Sequence, residues 1–435
     1  MHSLGWRLRV FLGGQALSAI GSWATLVAVW GYAAFAFDSG AAEIGFIGVA
    51  WLLPGVALAP VAGLGIDSMG PKRVLIAAKG VGAAASVALI FVNSYGWLVL
   101  LSVGHGIAYA FYQPALDAVP PRAVPDELLA RTNALVRVFT DTAIIFGPVA
   151  AAATIALWDF RGAFAFDAVT YLVGIAAILP VSMRPPEAAP PSRRVWHEAL
   201  EGFRLIVQRP SLRMTVLLTG TVYFLYGAAL VIEPIYVRDV LHQPVSTFAL
   251  LQTAFGVFLV GAGLLVARLG ERSAHLEVVA LTVVGSGLGA MLYLGTTSLA
   301  WSYTGVMAWG AVTAFVAGPS RTLLQRNTPE QAQGRVLALD RSVEGLAHLL
   351  ALPLAGWLAA TSTVRTAALT LTGAVALVGL AGVALVLRKP RTSGAGRPVT
   401  GTEQEPSVPP VAVSADEPTV ELPLGARAES GTSLG

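Results

Sequence analysis

The chain has 435 residues, 55% of them hydrophobic and 12% charged, with a formal net charge of +3. A soluble domain carries roughly 25% charged residues, so this composition excludes an ordinary water-soluble globule and points to lipid as the main solvent. Cysteine is absent, which excludes disulfides, thiolate metal sites and a thiol nucleophile.

Residues 10–37 contain no charged side chain. A signal-peptide core is about 7–15 residues long and a spanning helix needs about 20, so this segment is expected to be a retained first span. Further apolar runs predict spans at about 44–66, 74–92, 97–116, 133–157 and 160–181. Residues 182–213 are polar, rich in Pro and Arg, and read as a central loop. Six more spans follow at about 214–236, 247–267, 276–294, 301–319, 336–360 and 366–387. The remainder, 388–435, lacks Phe, Trp and Tyr; it cannot bury enough apolar surface to fold and is expected to be a disordered tail.

Lys and Arg flank membrane spans on the cytoplasmic side. With the N-terminus inside, all 28 Lys and Arg except Arg161, Arg238 and Arg365 fall at cytoplasmic ends or in the central loop and tail. This segregation predicts an all-α polytopic protein with twelve transmembrane helices and both termini in the cytoplasm. It also explains the positive charge without a nucleic-acid partner. Lys79 is placed near the cytoplasmic end of the third span, and Asp167 near the outer end of the sixth, where a structural role is expected.

The chain repeats itself. The block from Tyr112 matches the block from Ala317 at an offset of about 204, pairing Pro114 with Pro319, Pro125 with Pro329, Arg131 with Arg335, Arg137 with Arg341 and Pro148 with Pro353. A second match pairs Gly63 and Gly70 with Gly263 and Gly270 at an offset of 200. Two pseudo-symmetric six-helix halves, 1–181 and 214–387, follow from this. Parallel repeats of that kind hold their substrate between the halves, near the bilayer midplane.

Between the second and third spans stand Gly63, Asp67, Ser68, Gly70, Pro71, Lys72 and Arg73. This segment resembles the signature G-x-x-x-D-R-x-G-R-R of the major facilitator superfamily, with Ser68 and Pro71 replacing two of its positions. The blocks from Tyr112, Glu201 and Tyr236 resemble the branch of enterobactin exporters and macrolide-efflux proteins. The resemblance implies a gate in which Asp67, aided by Gly63, Gly70, Lys72 and Arg73, meets a helix N-terminus of the other half when the cytoplasmic side is closed. It also implies that the first and seventh helices face the cavity, so Trp23, Trp30, Trp51, Tyr223 and Tyr226 are candidate lining residues; lipid contact is the other reading for each. Gly147-Pro148 resembles an antiporter motif, with Ala151 and Ala152 in place of its glycines.

Ionisable groups within spans are expensive and usually face the bundle interior. Arg137 and Asp141 lie one turn apart, as do Arg341 and Glu344, and each pair reads either as a coupling network or as a structural ion pair. Glu233, before Pro234, could bind a proton or a cationic substrate, or sit at the outer water interface. His105, between Gly104 and Gly106, stands where related antiporters carry an arginine and could titrate near neutral pH, or be a satisfied interior histidine. For proton coupling the order is Glu233, Asp141, Glu344; Asp117, Glu277 and Asp340 are expected to be hydrated.

No phosphate loop, catalytic-metal spacing or nucleophile elbow is present, so neither an enzyme nor a cofactor is expected. The reading is a monomeric secondary transporter in the cytoplasmic membrane that exports a small organic molecule against protons. An importer, an uncoupled facilitator and a non-transporting sensor or scaffold are the alternatives.

Overall fold

The structure, a computed structural model, describes residues 5–184 and 195–388. The sequence-predicted tail lies outside the described residues except for Arg388. The helices are α1 (Trp6–Phe35), α2 (Ala41–Met69), α3 (Pro71–Leu89), α4 (Tyr95–Asp117), α5 (Asp126–Asp141) and α6 (Ala143–Ile178). After them come α7 (Val195–Gln208), α8 (Pro210–Ile235), α9 (Val245–Leu269), α10 (Leu276–Gly295), α11 (Leu299–Arg326), α12 (Gln333–Thr361) and α13 (Val364–Arg388).

Among the described residues, nine helical segments are long and apolar enough to cross a membrane. One of these, Asp126–Ile178, doubles back on itself. Trp158 and Asp159 leave helical geometry, and Asp159 has φ of +61°, a left-handed conformation that a non-glycine residue adopts only where a tight turn holds it there. Along α1, Gly14 meets Ala177, Gly21 meets Thr170 and Gly31 meets Phe160. The arm 160–178 of α6 therefore runs antiparallel to α1. With this reversal counted, and with α3 and α4 taken as further members of the bundle, the architecture is consistent with twelve crossings in two halves.

The repeat is visible in the backbone. Gly70 has φ of +82° and Gly270 φ of +52°, a region costly to residues with a Cβ. Each follows a descending helix and turns the chain at the face where α1 begins, called the N-terminal face below. The segment 182–213, expected as a loop, is partly helical. α7 packs through Gly202 and Ile206 onto α12 and α8, because its apolar residues recur at helical spacing, and Arg335 ion-pairs with Glu201 at 2.6 Å.

The two halves meet away from the N-terminal face. On α2, Gly45 and Gly48 approach Leu352 of α12, and Gly356 of α12 approaches Ala41. A Cβ on Gly45 would lie 2.8 Å from the Leu352 carbonyl oxygen. Small residues permit such contact, and dispersion then replaces the hydrophobic effect that lipid cannot supply. Toward the N-terminal face the same helices part. Beyond Leu52, α2 buries only Ala62 and Ile66 among its described side chains, and α12 between Arg341 and Leu350 is exposed or half-buried throughout. A cleft thus opens between the halves at the N-terminal face and closes at the opposite one.

Candidate functional site

The cleft gathers polar groups from both halves. Tyr109, Gln113 and Asp117 recur at every fourth residue of α4 and so share a face; the Gln113 amide donates to Asp117 Oδ1 at 3.2 Å. Arg137 of α5 lies within electrostatic range of Tyr109, Asp117 and Tyr223. From the other half, Arg341 acts on Asp117, and Asp340 and Glu344 act on Tyr223 of α8. Asp340, Glu344 and His348 form a second ladder at every fourth residue, along α12. Arg137 and Arg341, equivalent positions of the repeat, thus both lie within electrostatic range of Asp117. The side chain of Asp141 lies outside the described residues. Asp340 corrects its expected hydration: it is 6% exposed and accepts a 3.2 Å hydrogen bond from Thr219.

The remaining sequence candidates lie elsewhere. Glu233 is 3% exposed, inside the second half, and accepts a hydrogen bond from the Gln252 side chain of α9. It is neither at the water interface nor in the polar cleft. His105 is buried in the first half, between α3 and the arm 160–178. Trp30 and Trp51, expected to line the cavity, are core residues instead: their rings meet edge to face at 5.7 Å, and Trp51 stacks on His105 at 4.9 Å. Trp23 is partly exposed, against Gly147, while Tyr223 and Tyr226 are half-buried.

In the signature segment, Gly63, Asp67 and Arg73 are exposed, and Asp67 has no hydrogen-bond or ion-pair partner among the described residues. Lys72 is engaged within its own half. It donates to the carbonyls of Leu179 at 2.6 Å and Val181 at 2.9 Å, capping orphan acceptors at a helix C-terminus.

Two features were not legible as sites. At the closed end, Arg238 follows α8 and reaches across to the first half. It donates to the Ala34 and Ser39 carbonyls and pairs with Asp38 at 2.9 Å, while Asp239 holds its other edge at 2.6 Å. Inside the first half, Lys79 and Asp167 are buried at mid-depth. Lys79 stands eight residues into α3, about 12 Å from its start, and Asp167 seven residues into its arm, about 10 Å. The causes differ: α3 begins at Pro71, earlier than its apolar run suggests, whereas the arm of Asp167 begins at Phe160 as expected and about two helical turns carry the residue inward. Only charge spacing along α3 could have flagged Lys79, since no solvated loop separates it from the apolar stretch.

The sequence profile of the Major Facilitator Superfamily matches residues 11–347, and again 215–424. The chain is 24% identical over 357 residues to macrolide efflux protein A of Streptococcus pyogenes, covering 79% of this chain and 87% of that one. It is 25% identical over 378 residues to the multidrug efflux pump Tap of Mycolicibacterium fortuitum, covering 80% and 88%. Among solved structures, a bacterial homolog of the human lysosomal transporter Spinster superposes with a TM-score of 0.63 at 15% identity, covering 88% of this chain and 95% of that one. The helical architecture, the repeated halves, the cleft between them and the profile match together make this chain a member of the Major Facilitator Superfamily, a multi-pass membrane transporter rather than an enzyme.

Proposed function

We propose that the protein is an exporter of drug-like organic molecules, driven by the proton gradient and working by alternating access. The observation that carries this reading is the cleft: two repeated halves joined at one end, parted at the other, with polar groups of both halves facing the gap. The relatives named for macrolide and multidrug efflux support the direction and the substrate class.

The distribution of Lys and Arg supports a cytoplasmic N-terminal face, in the cytoplasmic membrane. The conformation is then inward-open, ready to take substrate from the cell interior. Tyr109, Asp117, Arg137, Tyr223 and Glu344 would contact it. Asp67 is exposed because its gate partner has moved off with the other half. Closing the cytoplasmic side would bring it to the N-terminus of a helix there, which favours a carboxylate by roughly 0.3–1 kcal/mol. Glu233 is the coupling candidate of the second half: a buried acid for which no cation is a neighbour among the described residues. One elementary charge moved across 100 mV is worth about 2.3 kcal/mol, enough to sustain a substrate gradient.

The test is uptake of a radiolabelled macrolide into inverted membrane vesicles carrying the protein. Accumulation that collapses when the pH gradient is dissipated supports the reading. Equilibration without accumulation would make the protein a facilitator.

A further inference from the structure

The first half contains a polar chain that the cleft does not use. The Ser86 hydroxyl lies 2.8 Å from Asp167 Oδ2 and 3.0 Å from His105 Nε2. The other imidazole nitrogen, Nδ1, lies 3.1 Å from the Leu101 carbonyl oxygen. Asp167 and Ser86 are fully buried and His105 is 2% exposed.

Counting hydrogens across these contacts gives a definite result. The Leu101 carbonyl can only accept, so Nδ1 carries a hydrogen. The serine has a single hydroxyl hydrogen. If it points to Asp167, then Nε2 must donate to Ser86 Oγ, and the ring is an imidazolium beside a carboxylate. If it points to Nε2, then Asp167 must donate to Ser86 Oγ, and the acid is protonated beside a neutral ring. Both arrangements hold one proton more than a carboxylate facing a neutral imidazole. They are two tautomers of one loaded state, interconverted by shifting hydrogens through Ser86.

We propose that Asp167, Ser86 and His105 form a binding site for a single exchangeable proton, and that this conformation holds it loaded. The site is built for close contact. A Cβ on Gly21 of α1 would come within 2.8 Å of Asp167 Oδ1 and 2.0 Å of Thr170 Oγ1. A Cβ on Gly106 would come within 2.3 Å of the Trp51 carbonyl oxygen. Glycine at both positions lets α1, α2 and α4 close over the chain and keep water out. A half-satisfied polar network in such a place is costly, which ties the hydrogen-bond pattern to the proton's presence.

Three other titratable groups face the site among the described residues: Lys79 of α3, Tyr112 of α4 and Tyr171 of the arm 160–178. α1 contributes Ser18, Gly21 and Ser22, and α2 contributes Trp51, none of which titrates. The Lys79 ammonium donates to Ser18 Oγ at 2.7 Å and lies 4.6 Å from the Tyr112 ring and 5.6 Å from the Tyr171 ring. It acts on Asp167 through space rather than by a direct ion pair. Its charge gives unloading a physical sense. Without the extra proton, Lys79 and Asp167 balance, so the proton can leave without stranding net charge in the bilayer. With it, the cluster carries one positive charge, which the two tyrosine faces stabilise.

Binding of a proton here stands on the geometry; a part for it in transport rests on the proton-driven reading above. Trp51 supplies a reporter, because its ring lies nearly parallel to His105, at 15° and 4.9 Å, and an imidazolium in contact quenches indole fluorescence. The experiment titrates the fluorescence of the purified protein in lipid nanodiscs between about pH 5 and 8, with gradient-driven transport measured on the same preparation. The expected result is a reversible pH-dependent component that is lost in Trp51→Phe, in His105→Gln and in Asp167→Asn, each eluting as a monodisperse peak. Should Asp167→Asn fail to fold, Ser86→Ala takes its place and must also lose the component. A component that persists unchanged in His105→Gln, or its absence from the wild type, would overturn the site. A wild type that shows the component but transports without regard to the pH gradient upholds the site and overturns only the proton-driven reading.

Discussion

Trp51 stacks on His105 with ring centroids 4.9 Å apart, and Phe255 meets Trp309, each 204 residues further along the chain, at the same 4.9 Å. A third ring completes each group: Trp30 lies 5.7 Å from Trp51, and Tyr226 lies 5.9 Å from Phe255 and 5.6 Å from Trp309. The repeat therefore extends to side-chain packing deep in each half. The pairs differ in geometry and chemistry: the first is stacked at 15° and the second tilted at 60°, and the first half has an imidazole where the second has an indole. Aromatic contact at equivalent positions serves both halves, and the titratable ring serves only one.

Asp67 is placed to stabilise the cytoplasm-closed state and not to touch substrate. Asp67→Asn is expected to slow turnover several-fold while leaving equilibrium binding of substrate unchanged. Transport kinetics and binding measured on the same purified variant decide it; normal turnover with weakened binding would contradict the gate.

Arg238 ties the halves at the closed end. Hydrogen bonds to a charged group are worth about 1.5–3 kcal/mol each, and about 1.4 kcal/mol is tenfold in an equilibrium. Arg238→Ala should therefore favour the outward-open state by at least about tenfold. The natural absence of cysteine allows a direct reading: a single Leu352→Cys, at the α2–α12 contact, should react with an impermeant maleimide from outside at least about tenfold faster in the Arg238→Ala background. An unchanged labelling rate would remove Arg238 from the latch.

The close approach at Gly45 makes a steric prediction. Valine there would drive its Cβ to 2.8 Å from the Leu352 carbonyl oxygen, and overpacking costs about 1–3 kcal/mol. The strain falls only on the outward-closed state, so Gly45→Val should express and melt normally but transport at a tenth of the wild-type rate or less. Wild-type transport would mean that this contact does not form during the cycle.

Glu233→Gln removes the buried acid of the second half while keeping a partner for Gln252. Loss of gradient-driven accumulation with retained substrate exchange would establish it as a coupling group. Accumulation and exchange both unchanged would exclude it and leave Asp141, Glu344 and the proton site of the first half as the candidates.

The architecture was legible because lipid imposes a strong rule: about 20 apolar residues per span and cations on one side. The repeat was legible from Pro and Gly, whose backbone demands persist where side chains drift. The polar chain of the first half was not. Ser86, His105 and Asp167 come from three helices, separated by 19 and 62 residues in sequence, and their meeting depends on helix depth and rotation. Lys79 counts as a cytoplasmic-end cation in a charge tally, although α3 carries it into the core. In the cleft, Arg137, Arg341 and Glu344 could be picked from their spacing, whereas Tyr109 and Asp117 could not, since hydrated span ends and cleft-facing positions share the same sequence pattern.

Transport against a gradient tests the central claim most directly. Protein reconstituted in proteoliposomes, oriented by protease accessibility of the N-terminal face, would be given a radiolabelled macrolide and a pH gradient, acidic on the side opposite that face. The account predicts movement of the macrolide from the N-terminal face to the acidic side, to a concentration above equilibrium, abolished when a protonophore collapses the gradient. Movement that stops at equal concentrations, with or without the protonophore, would contradict it.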